Sequence, residues 1–386
     1  MVVRLLRTGF ASGGPDMLAM SRGRTGERTR GSREARSWSF LLCALAFVTG
    51  CDVASAQHRD HAELVYISNE DSNDVSIVEV GSDQVVATVP AGKRPRGIRA
   101  DGTGKYVYVA VSGAPKSGPG LPKSALPPDP NADGIAVLDV KRRSIERRLP
   151  SGRDPEAFAL DSKRAMLLIS NEETAEASAV SLGNSKVVRT IQVGSEPEGV
   201  ELRPDGQVAY VTNEGDDNVV VLAMPSLERV ATFATEARPR AVAFTPDGRE
   251  ALVTAESGGS VCVVDAQAHV PVATIRIPPP NATPGNGRPA PRPMGVVVAP
   301  DGKLAYVTTG RSGSVVVLDV SGRRVLRTIA DVGARPWGIG ITADGTKLYV
   351  ANGPSDDVAV IDTRELRVVK RLKVGRSPWG VAVGPG

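Results

Sequence analysis

Short runs of alternating hydrophobic and polar residues fill most of this 386-residue chain. One clear copy contains four such runs, Gly199–Leu202, Ala209–Thr212, Asn218–Leu222 and Arg229–Phe233. An alternation with a period of two is typical of strands that bury one face. The turn-forming sequence Pro-Asp-Gly separates the first two runs at 204–206. The pattern therefore predicts four β-strands in each copy, joined by tight turns.

The copies recur with a regular spacing. A proline followed two residues later by glycine or alanine occurs at Pro95, Pro155, Pro197, Pro239, Pro293, Pro336 and Pro378. Successive prolines are 42 or 43 residues apart, except for spacings of 60 and 54 where the chain has insertions at 112–133 and 278–291. Four strands in about 40 residues is the length of one β-propeller blade.

The two ends of the repeated region complete each other. The last segment, Pro378–Val383, supplies only a first strand, whereas residues 64–89 supply only second, third and fourth strands. Together they make a seventh blade, and their pairing removes the exposed sheet edges. We therefore predict an all-β fold, a seven-bladed β-propeller with four-stranded blades, closed by pairing of the N- and C-terminal strands over residues 64–386.

Residues 1–56 have a different composition. The apolar run 38–50 follows Arg33 and Arg36, which is typical of a signal peptide and too short for a membrane-spanning helix. The Arg-rich stretch before it suggests that the true start is Met17 or Met20.

Two cleavage sites are compatible with this leader. Residues 48–51 resemble a lipoprotein box, which would place a lipid anchor on Cys51, whereas Ala54–Ala56 would release a soluble protein beginning at Gln57. Residues 57–63 would then be a linker. Both alternatives predict a periplasmic or exported protein, in one case anchored to the membrane.

Charge and metal-binding residues limit the possible functions. The net charge of +4 comes from the leader, because without residues 1–50 the chain has 39 basic and 40 acidic residues. A basic surface for nucleic acid is therefore not expected. Cysteine occurs at 43, 51 and 262 and histidine at 58, 61 and 269, without the clustering of a haem, zinc or disulfide site. From this distribution of cysteine and histidine we predict that the protein has no catalytic residues, no metal and no cofactor.

The residue after each repeated proline should lie at one mouth of the central channel. Six of these seven positions form the predicted ligand or partner site: Arg96, Glu156, Glu198, Arg240, Trp337 and Trp379. Both insertions are expected on the same face. The indoles and charges would suit an amphipathic ligand or a partner's loop, and the alternative is that the charges only form ion pairs that keep the ring soluble.

Two motifs give the chain a family resemblance. The sequence Tyr-Val-Thr-Asn at 210–213 resembles the YVTN-repeat propellers, and segments 93–98, 149–160, 194–199 and 374–383 are similar to the propellers associated with pyrroloquinoline-quinone (PQQ)-dependent alcohol catabolism. The resemblance implies a periplasmic protein that accompanies quinoprotein dehydrogenases and c-type cytochromes. It implies no established catalytic residues.

The sequence and the resemblance together favour a non-catalytic, monomeric binding or accessory propeller. Its partner would be a quinoprotein dehydrogenase, a cytochrome c or a small-molecule ligand. The first alternative is a lactonase-type hydrolase, although such enzymes use scattered His, Glu and Arg and this channel has no His. A second alternative is a propeller that binds single-stranded nucleic acid by stacking on the indoles.

Overall fold

A computed structural model describes residues 62–115, 127–279 and 289–386. The predicted signal peptide, the start sites, lipidation at Cys51 and the linker as far as residue 61 lie outside these ranges, as do residues 116–126 and 280–288 of the two insertions. The described residues form one compact unit. No helix in the described part of the chain is long and apolar enough to cross a membrane.

The described residues form 28 β-strands and three short 3-10 helices. The strands, in chain order, are β1 Glu63–Asn69, β2 Asp74–Glu79, β3 Gln84–Pro90, β4 Ile98–Ala100, β5 Tyr106–Val111, β6 Gly134–Asp139, β7 Ser144–Leu149, β8 Pro155–Asp161, β9 Met166–Asn171, β10 Glu176–Ser181, β11 Lys186–Gln192, β12 Pro197–Leu202, β13 Val208–Asn213, β14 Asn218–Ala223, β15 Arg229–Ala234, β16 Pro239–Phe244, β17 Glu250–Ala255, β18 Ser260–Asp265, β19 Val270–Arg276, β20 Val296–Val298, β21 Leu304–Thr308, β22 Val315–Asp319, β23 Arg324–Ile329, β24 Pro336–Ile341, β25 Lys347–Asn352, β26 Asp357–Asp362, β27 Arg367–Lys373 and β28 Pro378–Pro385. The 3-10 helices are Pro130–Ala132, Gly310–Ser312 and Gly353–Ser355.

The strands pair into seven antiparallel sheets of four strands each. Blades 1 to 6 consist of β4–β7, β8–β11, β12–β15, β16–β19, β20–β23 and β24–β27. Blade 7 has the order β28-β1-β2-β3, and Leu64 of β1 lies opposite Gly384 of β28. The predicted seven-bladed propeller, closed by its terminal strands, is confirmed.

The burial of each strand follows its place in the blade. Every residue of the second strand β13 is buried, whereas the fourth strand β11 is mostly exposed. Apolar side chains of neighbouring blades pack together, as Tyr210 of blade 3 does in one cluster with Val253 and Cys262 of blade 4. Removal of this apolar surface from water is the main force that joins the blades. The structure places Cys262 in the core, as expected from its position in a strand.

The asparagine that ends several second strands stabilises the following hairpin. The Asn213 amide donates to Asn218 Oδ1 at 2.8 Å, and the Asn352 amide donates to Asp357 Oδ1 at 2.7 Å. Both asparagines are fully buried, where an amide without a partner would be costly. The last residue of the Tyr-Val-Thr-Asn sequence therefore connects the second strand to the third.

Candidate functional site

A sharp turn leads into each innermost strand. The residue before the repeated proline has a positive φ in six blades, at Arg94, Asp154, Glu196, Arg238, Arg335 and Ser377. Such a backbone conformation is strained for residues other than glycine, so the surrounding structure must hold it. The turn places this residue and the one after the proline around the channel mouth.

Hydroxyl groups of the second strands fix the backbone of the residue after each proline. In five blades a Ser or Thr hydroxyl donates to the carbonyl of that residue in the next blade: Ser68 to Arg96 (2.6 Å), Ser170 to Glu198 (2.6 Å), Thr212 to Arg240 (2.8 Å), Thr254 to Met294 (2.7 Å) and Thr308 to Trp337 (2.6 Å). Blade 1 has Ala110 at this position, and there the Gly97 amide donates to the Glu156 carbonyl at 3.0 Å. These bonds hold the site residues in register from blade to blade.

The channel mouth is a charged cavity of about 470 Å³, which we call the funnel. Its wall contains seven glutamates, seven arginines and two tryptophans: Glu70, Glu156, Glu172, Glu196, Glu198, Glu214, Glu256, Arg94, Arg96, Arg238, Arg240, Arg292, Arg311, Arg335, Trp337 and Trp379. The structure thus brings all six predicted site residues together in one cavity. The equal numbers of both charges leave the wall without a large excess of either sign.

Arg96 is the centre of one ion-pair cluster. Only 3% of this residue is exposed, and its guanidinium contacts Asp154 and Glu156 and lies 3.7 Å from Glu172. It also donates to the Pro155 carbonyl at 3.0 Å. A buried charge requires such pairing, because an ion without partners in a protein interior is strongly destabilising.

Arg240 is the centre of a second cluster on the next blades. Its guanidinium contacts Glu198 and lies 2.6 Å from Glu214 and 2.8 Å from Glu256. Arg292 lies 3.0 Å from Glu256 and extends this cluster to blade 5. In the repeat order Arg96 and Arg240 stand on either side of Glu156 and Glu198, and the structure shows that each arginine binds one of these glutamates directly.

The two indoles form an aromatic wall on the opposite side of the funnel. The ring centroids of Trp337 and Trp379 are 5.8 Å apart. The guanidinium groups of Arg240 and Arg335 lie 5.3 Å and 4.7 Å from the centre of the Trp337 ring. Both distances are within the range of cation–π attraction. Trp337 is therefore held by its neighbours, and Trp379 packs against it.

Three charged groups of the funnel have no ion-pair partner among the described residues. No carboxylate of that part of the chain lies within 4.0 Å of Arg335 or Arg311, and no cationic group lies that close to the Glu196 carboxylate. Partial burial lowers the pKa of Arg335, and Arg311 and Arg240 add to this effect against the attraction of Glu256. The six predicted site residues do not include these three groups, because ion pairing between blades cannot be read from spacing.

Glu156 is the most perturbed carboxyl group of the funnel. Burial raises its pKa well above the ordinary value of 4.5, and the nearby carboxylates Glu198, Glu172 and Asp154 oppose the attraction of Arg96. The pKa of Asp154 is instead lowered, because Arg96 and a hydrogen bond from Ser112 outweigh the effect of burial. Two neighbouring carboxyl groups with separated pKa values are typical of an acid and a base in one site.

One carboxylate cluster has the spacing of a metal site. Ligand oxygens of Asp154, Glu156 and Glu172 lie within 4.8 Å of one another. Arg96, however, contacts Asp154 and Glu156 and approaches Glu172. The guanidinium thus occupies the place that a cation would take, and the three carboxyl groups do not fit a metal while Arg96 is bound to them.

The sequence comparisons identify the family. A model of the family described as "Lactonase, 7-bladed beta-propeller" matches residues 180–373, which is half of the chain. The chain belongs to this lactonase family. The expectation of a non-catalytic propeller that serves PQQ-dependent alcohol oxidation is therefore wrong, and the match supports the hydrolase alternative instead. A search of curated proteins found no match to this chain.

Solved structures with the same fold are distant in sequence from this lactonase-family chain. Hydrazine synthase of Kuenenia stuttgartiensis has 20% identity and a TM-score of 0.62, over 75% of this chain and 89% of its own. A protein from Lactobacillus plantarum has 15% identity and a TM-score of 0.68, with coverages of 83% and 99%. A functionally unknown protein from Desulfotomaculum acetoxidans has 13% identity and a TM-score of 0.69, with coverages of 84% and 99%. These similarities show the fold alone.

The expectation of no enzymatic activity rested on the lack of histidine in the channel. His269 lies between β18 and β19, where its Nδ1 and the Tyr210 hydroxyl are 2.9 Å apart. It is not among the residues that line the funnel, as predicted. The family match, however, suggests hydrolase activity, and the funnel contains carboxyl groups whose pKa values are shifted in opposite directions.

Proposed function

We propose that this protein is a hydrolase that opens lactones in the funnel. The observation that supports this most strongly is the match of half the chain to the lactonase family. The funnel adds a suitable chemical environment, with a buried carboxyl group of raised pKa, guanidinium groups that have no ion-pair partner in the described part of the chain, and an aromatic wall. At about 470 Å³ it also has the size of a small-molecule site.

Hydrolysis of a cyclic ester needs three contributions from the protein. A base accepts a proton from the attacking water, a positive group stabilises the negative carbonyl oxygen, and an acid protonates the leaving alkoxide. We assign these roles to Glu196, Arg335 and Glu156, in that order. Glu196 and Arg335 have no ion-pair partner among the described residues, so they are available to the reactants.

The reaction is balanced with these groups. The water oxygen forms a bond to the carbonyl carbon while Glu196 takes its proton, and the carbonyl electron pair moves to the oxygen beside Arg335. When this intermediate collapses, the ring C–O bond breaks and Glu156 gives its proton to the alkoxide. The product is one hydroxy acid, and proton exchange with solvent restores both glutamates.

A lactone panel tests the proposal. Purified protein is incubated with five- and six-membered lactones, and hydroxy acid is measured by titration and mass spectrometry. We expect turnover by the native chain and a loss of about 10²–10⁴-fold in kcat for Glu156→Gln, as for other general acids. Because a carboxyl group must be protonated to act as an acid, activity should fall as pH rises through the raised pKa of Glu156.

Glu250→Gln is a matched control for this experiment. Glu250 forms an ion pair with Arg323 at 2.7 Å and is not part of the funnel wall, so its removal tests the general effect of a lost glutamate charge. Native-like activity is expected for this variant. Absence of turnover across the panel, or equal activity of Glu156→Gln and Glu250→Gln, would contradict the proposed function.

We also propose that the protein is exported, since the apolar run 38–50 after Arg33 and Arg36 has the pattern of a signal peptide. N-terminal sequencing of the mature protein from a bacterial host distinguishes a lipid-modified Cys51 from a free Gln57. Recovery of the intact leader in the cytoplasm would contradict export. The predicted partners, a quinoprotein dehydrogenase or a cytochrome c, are not tested by any finding and stay predictions.

A further inference from the structure

A second cavity lies in the propeller channel beside the funnel. Its volume is about 380 Å³, and its wall is mainly apolar. Four residues line both cavities: Glu198, Arg240, Trp337 and Trp379. The charged funnel and the apolar channel therefore adjoin at the level of the ion pair and the indoles.

One ring of positions in the channel contributes almost no side chain. The second residue after the repeated proline lines the channel in all seven blades, and it is glycine in five and alanine in two. Close backbone contacts require this choice, since a Cβ atom at Gly199 would lie 2.2 Å from the Arg240 carbonyl oxygen. No side chain larger than a methyl group extends from these positions.

The next position makes the channel wall apolar. It is Phe158 in blade 2 and valine or isoleucine in the other six blades, and each of these residues lines the cavity. The wall also contains Arg99 and Glu201, whose charged groups are 2.7 Å apart. The channel thus offers an apolar stretch that continues from the charged funnel.

We infer that the substrate is a lactone with an unbranched alkyl chain, whose ring binds in the funnel and whose chain occupies the channel. This inference rests on the proposed lactone hydrolysis and adds the substrate class. A polar ring suits the guanidinium groups and indoles, whereas an alkyl chain is the ligand group that gains from an apolar cavity. The chain takes no part in bond cleavage.

Chain length is the variable that tests this inference. A series of γ-lactones with alkyl substituents of two to ten carbons is assayed for kcat/KM. Each added methylene should raise kcat/KM about threefold to fourfold until the channel is full, the effect expected for transfer of one CH₂ group out of water. A kcat/KM value that does not depend on chain length would overturn the inference.

Binding without turnover separates this inference from the proposed function. Linear alkanoates of four to twelve carbons serve as probes, and their dissociation constants are measured by calorimetry with the full chain. Affinity should rise by the same factor per methylene. If affinity rises with chain length while no lactone is hydrolysed, the proposed function fails and the alkyl site stands. If lactones are hydrolysed while alkanoate affinity does not change with length, the alkyl site fails alone.

Ala243→Phe closes the channel without changing the funnel. Ala243 lines the apolar cavity and is only partly buried, so a phenyl group there would occupy the space of the alkyl chain. We expect this variant to lose the dependence on chain length, and Ala243→Val, which disturbs packing less, to lose part of it. Val230→Phe, at a half-exposed position of the outer strand β15, is the matched control. Unchanged dependence in a folded Ala243→Phe protein would overturn the inference.

Discussion

Thr308→Val tests the inter-blade hydrogen bonds that hold the funnel residues. The Thr308 hydroxyl donates to the Trp337 carbonyl at 2.6 Å and accepts from the Gly295 amide at 2.9 Å. The Thr308 side chain is fully buried, so its hydroxyl makes both bonds away from solvent. Valine has nearly the same shape as threonine, and the substitution therefore removes the two hydrogen bonds with little change in packing.

The expected loss of stability follows from the Gly295 amide and the Trp337 carbonyl, which both lose their hydrogen-bond partner. A buried donor or acceptor that loses its partner costs about 1–2 kcal/mol, so Thr308→Val should lower the free energy of unfolding by about 2–4 kcal/mol. Thr308→Ser keeps the hydroxyl and removes only one methyl group, at a cost of about 1 kcal/mol. Serine is a suitable control, because Ser68 and Ser170 make the equivalent bond in two other blades.

Urea unfolding, followed by circular dichroism and by tryptophan fluorescence, measures the difference between the two variants. We expect the midpoint of Thr308→Val to lie clearly below that of Thr308→Ser, and the lactone kcat/KM of the valine variant to fall, because the backbone of Trp337 is no longer held. Equal midpoints for the two variants would refute the reasoning, since they would show that the hydroxyl contributes nothing beyond packing.

Three further predictions follow from the same structure. Deletion of residues 378–386 removes β28, which pairs with β1 on the channel side of blade 7, so cooperative unfolding should be lost. A truncated chain with native-like melting would contradict closure through this strand. In blade 6, Ala351 occupies the position where five other blades have a Ser or Thr hydroxyl. Ala351→Ser should therefore raise the free energy of unfolding by up to about 1 kcal/mol through a new bond to the Trp379 carbonyl. An unchanged or lower urea midpoint would show that this bond does not form. The folded pKa of Glu156 is raised above its ordinary value of 4.5, so its contribution to stability is present below pH 4.5 and is lost as pH rises through the folded pKa. Glu156→Gln should therefore gain stability relative to the native chain as pH rises above 4.5, as measured by the difference in melting temperature.

The sequence predicted the fold in detail, because the repeated proline marks the start of each innermost strand. It also placed Trp337 and Trp379 on adjacent blades, and their rings are in contact. The Ser or Thr near the end of the second strand was a readable signal as well, since it occurs in five of the seven copies. Its role could not be predicted, because its partner is a backbone carbonyl of the next blade, 28 to 40 residues away.

The electrostatic properties of the funnel could not be predicted from spacing. The positions of Glu156, Glu198, Arg96 and Arg240 were predicted, but which carboxylate binds which guanidinium depends on side-chain directions across three blades. The pKa of Glu156 depends on its complete burial and on three nearby carboxylates. Arg335 differs from Arg238 only in its neighbours, since both precede a repeated proline in the same backbone conformation.

Some charged groups of the funnel form ion pairs, and others have no such partner among the described residues. This difference explains how the funnel can act on a substrate in the proposed mechanism. A paired ion is held in place and has little attraction left for a ligand, so the clusters around Arg96 and Arg240 serve mainly to fix the geometry of the wall. Glu156 is the exception, because its raised pKa favours the protonated form that the proposed acid needs. Glu196 and Arg335 have no ion-pair partner within the described ranges, and Arg335 is also positioned by the Trp337 ring. Histidine is not required for this arrangement, because burial among other carboxylates can raise a glutamate to the pKa that an acid needs near neutral pH. In the proposed mechanism this wall supplies the acid, the base and the cation, and it differs from a solvated ring of ion pairs by the few groups that have no ion-pair partner among the described residues.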